Sequence, residues 1–228
     1  MWSGFTNEWL EPYDLVTRNF YGRLSITDTG EEQDLRRKMV HGGINHGYQF
    51  LDDKRGKEPA SYYCHESGVG LALDSRASMG AQDVGIIGVG TGTLATYGRA
   101  GDRFHMFDIN PAVLELAQSH FTYIKDSKAD VTLHLGDARL VLERNENFKF
   151  DVLIVDAFSS DSVPVHLVTK EAFELYHARL KPNGILAVHI SNRYLNMQPV
   201  VAANAKAIGL ESRLVDDDRE DLAKVAGL

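Results

Sequence analysis

The chain has 228 residues, 43% of them hydrophobic and 25% charged, a globular composition with room for one large domain or a domain with a small appendage. Its formal charge of −8 argues against a nonspecific nucleic-acid binder, which would need a basic excess to contact phosphates, and leaves room for cationic ligands. The solitary Cys64 excludes an intrachain disulfide or a multi-cysteine zinc site and suits a reducing cytosol. No apolar run reaches the roughly 18 residues of a membrane span, and the acidic start "MWSGFTNEWLEPYD" lacks the layout of a signal peptide, so a soluble, cytoplasmic protein is expected.

In chain order, two textures follow one another. From about Asn19 to Leu73, short apolar runs are broken by glycine and charge ("NFYGRLSITDT", "KMVHGGINHGYQFLD"), which predicts small antiparallel strands. From about Asp83 the runs "VGIIGV", "FHMFDI", "VTLHL", "DVLIVDAF" and "ILAVHI" alternate with helical segments, the pattern of parallel strands buried on both faces. The division is placed at residues 1–76 and 77–228. Asn110 is expected to cap a helix that has Pro111 at its first position, and Thr169 to cap "KEAFELYHARL", which ends at "KPNG". Strand and helix in alternation predict an α/β fold with an open, doubly wound parallel sheet, helices on both faces, and ligands at the carboxyl ends of its strands.

At that edge lies "IIGVGTGTL", where Gly88, Gly90 and Gly92 follow a strand and precede a predicted helix, so that a ligand can approach the backbone. The dinucleotide fingerprint wants glycine where Thr93 stands, and the G-x-G-x-G turn of adenosylmethionine-dependent enzymes fits better. Asp108 ends the next strand, where a carboxylate accepts hydrogen bonds from both ribose hydroxyls in nicotinamide and adenosylmethionine folds alike. Asp137 follows the third strand, in reach of an adenine amine, and Asp156 ends the fourth, where negative charge favours a sulfonium. A common cleft for these three acids is the central expectation; a capped glycine turn without a ligand is the plain alternative. His41 and His46, five apart in a glycine-rich strand region, lack the spacing of a metal pair, and no metal is expected.

The ordered segments "RNFYGRLSI", "HGGINHGYQF", "IIGVGTGT", "FDIN", "LGDARL" and "FDVLIVDAFSSDSVP" resemble the spermidine synthase (polyamine aminopropyltransferase) family, over roughly Asn19 to Ser212. The likeness is greatest to a bacterial branch often joined to a membrane-spanning amino-terminal part. The resemblance implies a small amino-terminal β domain packed beside a Rossmann-like methyltransferase fold. It also implies transfer of an aminopropyl group from decarboxylated S-adenosylmethionine to an amine such as putrescine, releasing methylthioadenosine. It makes Asp108 the ribose acid, Asp137 the adenine acid and Asp156 the first aspartate of D-x-x-D, which orients and helps deprotonate the amine. The second aspartate falls on Ser159, with Asp161 as the available substitute, and the amine-holding acid of G-G-G-D-G-G falls on Thr91. Asn45 stands in place of a cofactor-binding glutamine, His65 is a cofactor contact, and the tyrosine before H-E aligns with Cys64, leaving Tyr62 and Tyr63 as neighbours. Tyr63, Thr91, Ser159 and Asp161 are therefore the substrate-binding candidates.

The chemistry explains why carboxylates are needed. An alkyl ammonium with a pKa near 10.4 is neutral in about one molecule in two thousand at pH 7, so the attacking amine gains from a base, assigned to Asp156. A methyltransferase using intact S-adenosylmethionine and a non-catalytic nucleoside-binding module are the alternatives. His166 and His189 read as pocket walls, and Gln49 faces either ligand or solvent. Family members usually complete the sheet with an antiparallel hairpin after the fifth strand, of which "LESRLVDDDREDLAKVAGL" supplies at most one strand. An edge left open allows association, a homodimer included, unless the chain is a fragment of a longer one.

Overall fold

The computed structural model describes residues 14–156, 164–191 and 195–216. Its first sheet is antiparallel and follows chain order: β1 (Leu15–Asn19), β2 (Gly22–Thr29), β3 (Arg36–His41) and β4 (Ile44–Phe50). The hairpin between β3 and β4 closes on Gly42 and Gly43, with Gly42 at φ 62, which only glycine adopts freely. Period-two alternation sends Leu24 and Ile26 of β2 and Met39 of β3 inward, each 1% exposed or less.

Strands were expected up to Leu73, but they stop at Phe50; the chain then makes short 3-10 turns and enters helix α1 (Gly68–Ala77). Ser67 caps that helix by accepting the Gly70 amide at 3.0 Å, and a Cβ on Gly70 would lie 2.3 Å from the Cys64 carbonyl. Gly70 thus marks a close approach of the helix to the preceding turn. Helix α1 lies on the second sheet through Val69, Ala72 and Leu73, and the boundary between residues 76 and 77 falls in its last turn.

The second sheet is wholly parallel, with β5 (Asp83–Ile87), β6 (Arg103–Asp108), β7 (Asp130–Leu135), β8 (Phe150–Val155) and β9 (Leu180–Val188) in the order β7-β6-β5-β8-β9. Helices α2 (Pro111–His120), α3 (Tyr123–Asp126), α4 (Ala138–Arg144), α5 (Lys170–Ala178) and α6 (Gln198–Ala207) make or follow the crossovers. Central β5 is buried at every residue; Val84 and Ile86 are 0% exposed, and burying each contributes about 1.5–3 kcal/mol. One face of the sheet shares its core with the small sheet, α1 and α2, and the other packs on α4 and α5. Strand order reverses between β5 and β8, the switch point at which doubly wound sheets open a crevice.

The expected caps are present: Asn110 accepts the Ala112 amide at 3.1 Å with Pro111 following, and Thr169 accepts the Ala172 amide at 3.3 Å. Two helices are shorter than their sequences suggest. After the glycine turn only a 3-10 stretch, Thr93–Tyr97, forms, because Gly98 is pressed against Ser127 and Ala129 and buried Asp102 holds the Arg99 amide at 2.9 Å. Helix α5 ends at Ala178, where the Arg179 guanidinium turns in to the Leu142 carbonyl at 3.0 Å. "KPNG" is accordingly the irregular start of β9, with Asn183 at φ 60 and a register shift against β8, which an edge position tolerates. Among the described residues no strand follows β9.

Candidate functional site

Four strand ends lie side by side at the carboxyl edge. The Gly88 amide donates to the Phe107 carbonyl at 2.8 Å, Gly136 to Asp108 at 2.9 Å, and Asp156 to Ile87 at 2.8 Å. Asp108 and Asp137 thus stand on one flank of the glycine turn and Asp156 on the other, across the switch point.

The turn needs its glycines. Gly88, Gly90 and Gly92 have φ of 97, 53 and 84, and a Cβ on Gly90 would come 2.6 Å from the His46 carbonyl. Strand β4 is what presses on the turn. A Cβ on Gly47 would likewise lie 2.6 Å from Thr91 Oγ1, and Asn45 holds that segment by accepting the Gly47 amide at 3.0 Å. Thr91, 1% exposed, points its hydroxyl to Thr93 at 2.8 Å, so it is enclosed beneath β4 and bonded within the turn.

Asp108 folds back on the turn. Its Oδ2 accepts the Val89 amide at 3.1 Å and its Oδ1 the Asn110 amide at 2.9 Å. Burial pushes its carboxyl above the usual carboxylate range, while these amide bonds pull the other way. Each oxygen keeps a second lone pair, which suits a pair of vicinal hydroxyls. Asn19 reaches from the small sheet to the capping Asn110 at 2.6 Å. Beside the acids, Ile109 and Leu140 remain 44% exposed and Leu135 59%, apolar surface of the kind a purine would cover. The acid-and-glycine arrangement therefore fits an adenine nucleoside.

Asp137 caps α4, accepting the Leu140 amide at 3.3 Å, and its other oxygen meets His166 Nε2 at 3.1 Å. The partnership with His166, beyond a pocket wall, is visible only once the chain is folded.

Asp156, 8% exposed, accepts a hydrogen bond from the Tyr63 hydroxyl, itself buried. Burial first, and then the Asp156 charge, push the Tyr63 phenol well above its ordinary pKa, so it stays protonated and donates. The Tyr97 hydroxyl fixes the Tyr63 carbonyl at 2.5 Å, a contact with no signal in the sequence beyond a tyrosine five residues after Gly92. Tyr62 lies against Tyr63 with ring centroids 4.4 Å apart and against His189, at the end of β9, at 4.6 Å. Burial pushes the Tyr62 phenol up as well.

Other candidates lie apart from this cluster. His65, its side chain 60% exposed, pairs with Asp74 of α1 at 2.7 Å and leans its ring on Tyr97. Gln49, which faces neither ligand nor solvent, is 3% exposed and ties β4 to Gly56 and Thr122 at 2.7 and 2.8 Å. Ser159 and Asp161 lie outside the described residues. The His41 and His46 rings lie tilted with centroids 5.1 Å apart, and burial pulls the His46 pKa down to about 4, with His41 adding to the effect.

The fold and its carboxyl edge define a doubly wound sheet of the methyltransferase type with an appended antiparallel sheet. The family model for the spermine/spermidine synthase domain matches residues 70–211, more than half of the chain, and the chain belongs to that family. It is 29% identical over 147 residues to a polyamine aminopropyltransferase from Vibrio vulnificus, covering 62% of this chain and 46% of the relative. The chain thus spans less than half the length of that relative. Among solved structures, a probable spermidine synthase from Corynebacterium glutamicum superposes with a TM-score of 0.64 at 18% identity, covering 78% of this chain and 64% of that one. Human methyltransferase-like protein 13 in complex with SAH superposes at 0.50 with 19% identity, over 69% of this chain and 87% of that one. Both likenesses concern the fold.

Proposed function

We propose that the protein transfers an aminopropyl group from decarboxylated S-adenosylmethionine to a small amine. The observation that carries the reading is the Tyr63–Asp156 hydrogen bond at the end of β8, across the switch point from Asp108. Asp108 takes the ribose hydroxyls and Asp137 the adenine amine, with Gly88, Gly90 and Gly92 letting the nucleoside approach. Asn45 acts indirectly, by holding β4 against the turn. In the reaction the neutral amine nitrogen forms a bond to the propyl carbon beside sulfur, the carbon–sulfur bond breaks, and methylthioadenosine leaves as an uncharged thioether. Asp156 accepts the amine's proton. Tyr63 holds that carboxylate in place, which supports attack in line with the breaking bond.

In our reading residues 77–228 supply the glycine turn and the three acids, and residues 1–76 supply β4 over that turn and the Tyr63 donor to Asp156. His65 serves as an outer cofactor contact, and Ser159 and Asp161 as further amine contacts. A cytoplasmic location and a homodimer belong to the same proposal; the lone cysteine supports the first and the edge strand β9 the second. The test is mass-spectrometric product analysis with a panel of diamines and both sulfonium donors. Aminopropylated amine with equimolar methylthioadenosine is expected; methylated product from intact S-adenosylmethionine would overturn the proposal.

That methyl-transfer reading draws support from Thr91, which stands where the family holds its amine yet is enclosed beneath Gly47. Calorimetry separates the two. Tighter binding of adenosylhomocysteine than of methylthioadenosine would favour methyl transfer.

A further inference from the structure

We infer that Ser61 is a positioning residue for the amine half of the site, acting through its left-handed backbone. This rests on the aminopropyl-transfer reading for its catalytic consequence. Ser61 has φ 64, in a region that L side chains rarely adopt, and is only 6% exposed. Its hydroxyl is buried with no hydrogen-bond partner, so the side chain gives no visible compensation for the backbone strain. Asn183 and Glu32, the other non-glycine residues at positive φ among those described, lie in the irregular start of β9 and in an exposed turn.

The strain has an evident product. Ser61 opens the 3-10 turn Ser61–Tyr63, and this turn directs two consecutive tyrosines into the site. Tyr63 donates to Asp156, and the Tyr62 ring packs at a tilt against His189. A further contact fixes the far end of the turn, where the Tyr97 hydroxyl donates to the Tyr63 carbonyl at 2.5 Å. An extended residue at position 61 would rotate the chain that follows and draw the Tyr63 hydroxyl off Asp156. None of these contacts involves Asp108, Asp137 or the glycine turn, so the nucleoside half should not respond.

The test compares Ser61→Gly, Ser61→Asn and Ser61→Val. Glycine and asparagine accept a left-handed backbone, whereas a β-branched valine resists it. Three quantities are read on each: turnover with amine and decarboxylated S-adenosylmethionine, affinity for methylthioadenosine, and the 13C resonance of the phenolic carbon of Tyr63, assigned with Tyr63→Phe. The inference expects Ser61→Val to lose at least tenfold in kcat, to bind methylthioadenosine within twofold of the parent, and to shift the Tyr63 resonance. Ser61→Gly and Ser61→Asn should keep the parent resonance and stay within threefold in kcat. It is overturned by an unshifted resonance in Ser61→Val, by parallel loss of nucleoside affinity, or by Ser61→Gly behaving as Ser61→Val does. Should Ser61→Val not fold, the glycine and asparagine variants decide, since a shifted resonance in both assigns the role to the hydroxyl and not to the backbone. If the parent protein makes no aminopropylated product, the proposed function fails, while the resonance still reports whether Ser61 sets the Tyr63–Asp156 contact.

Discussion

Single residues divide the site into two halves that should fail separately. In the proposed function Asp108 binds the nucleoside, and its two oxygens are already anchored by the Val89 and Asn110 amides, so Asp108→Asn removes charge and acceptor capacity without vacating the position. Hydrogen bonds to charged groups contribute about 1.5–3 kcal/mol, so nucleoside affinity should fall roughly 10- to 100-fold by calorimetry. Tyr63→Phe should leave that affinity unchanged and lower kcat about tenfold, because only the donor to Asp156 is lost. His46 supplies a pH dependence. Its pKa is 6.5 when unperturbed and about 4 in the fold, so between those values the unfolded chain binds the extra proton and stability falls as pH falls. The loss approaches about 3 kcal/mol near pH 4, and His105 and His134, also lowered by burial, add in the same direction. Asp108, raised by burial, opposes it over the carboxylate range. Denaturant titrations from pH 7 to 4 should show a fall that is smaller in His46→Gln; an equal fall would remove His46 from the account.

Among the elements, the docking of β4 on the glycine turn joins the fold to the site. Gly90→Ala meets both a φ of 53 and the His46 carbonyl at 2.6 Å, so it should destabilise the protein by about 1–3 kcal/mol and weaken nucleoside binding together. Thermal denaturation and calorimetry check this, and loss of stability alone would separate the turn from the ligand. Much at this scale was legible in the sequence, because local chemistry settles it. Asn110 before Pro111 and Thr169 before a helical repeat act within one turn of chain, and both cap as expected. The five parallel strands follow from their apolar runs, whereas of the small sheet only the antiparallel character was legible: its strands begin at Leu15 and stop at Phe50, not at Asn19 and Leu73. What escaped were ends decided by distant partners: Arg179 leaves α5 for the Leu142 carbonyl, and Gly98 stops the 3-10 stretch against Ser127 and Ala129. The stretch up to Leu73 resembled strand because nothing local reveals the Cys64 carbonyl that Gly70 must pass in helix α1.

For the whole molecule, the sequence placed three acids on successive strands, and the strand-end hydrogen bonds put all three at one edge. Their individual partners were not legible, since the Asp156 phenol comes from 93 residues away and His166 reaches Asp137 from beyond β8. Thr91 shows the opposite failure: family position marked it as an amine contact, while the packing of Gly47 encloses it. The account therefore rests on a nucleoside half at Asp108 and an amine half at Asp156, independent in binding and joined in turnover. Asp156→Asn tests that division most directly, with methylthioadenosine affinity and amine-dependent product formation measured on the same preparation. The account expects parent-like affinity and product formation reduced at least 100-fold; undiminished turnover, or nucleoside affinity lost with it, would contradict it.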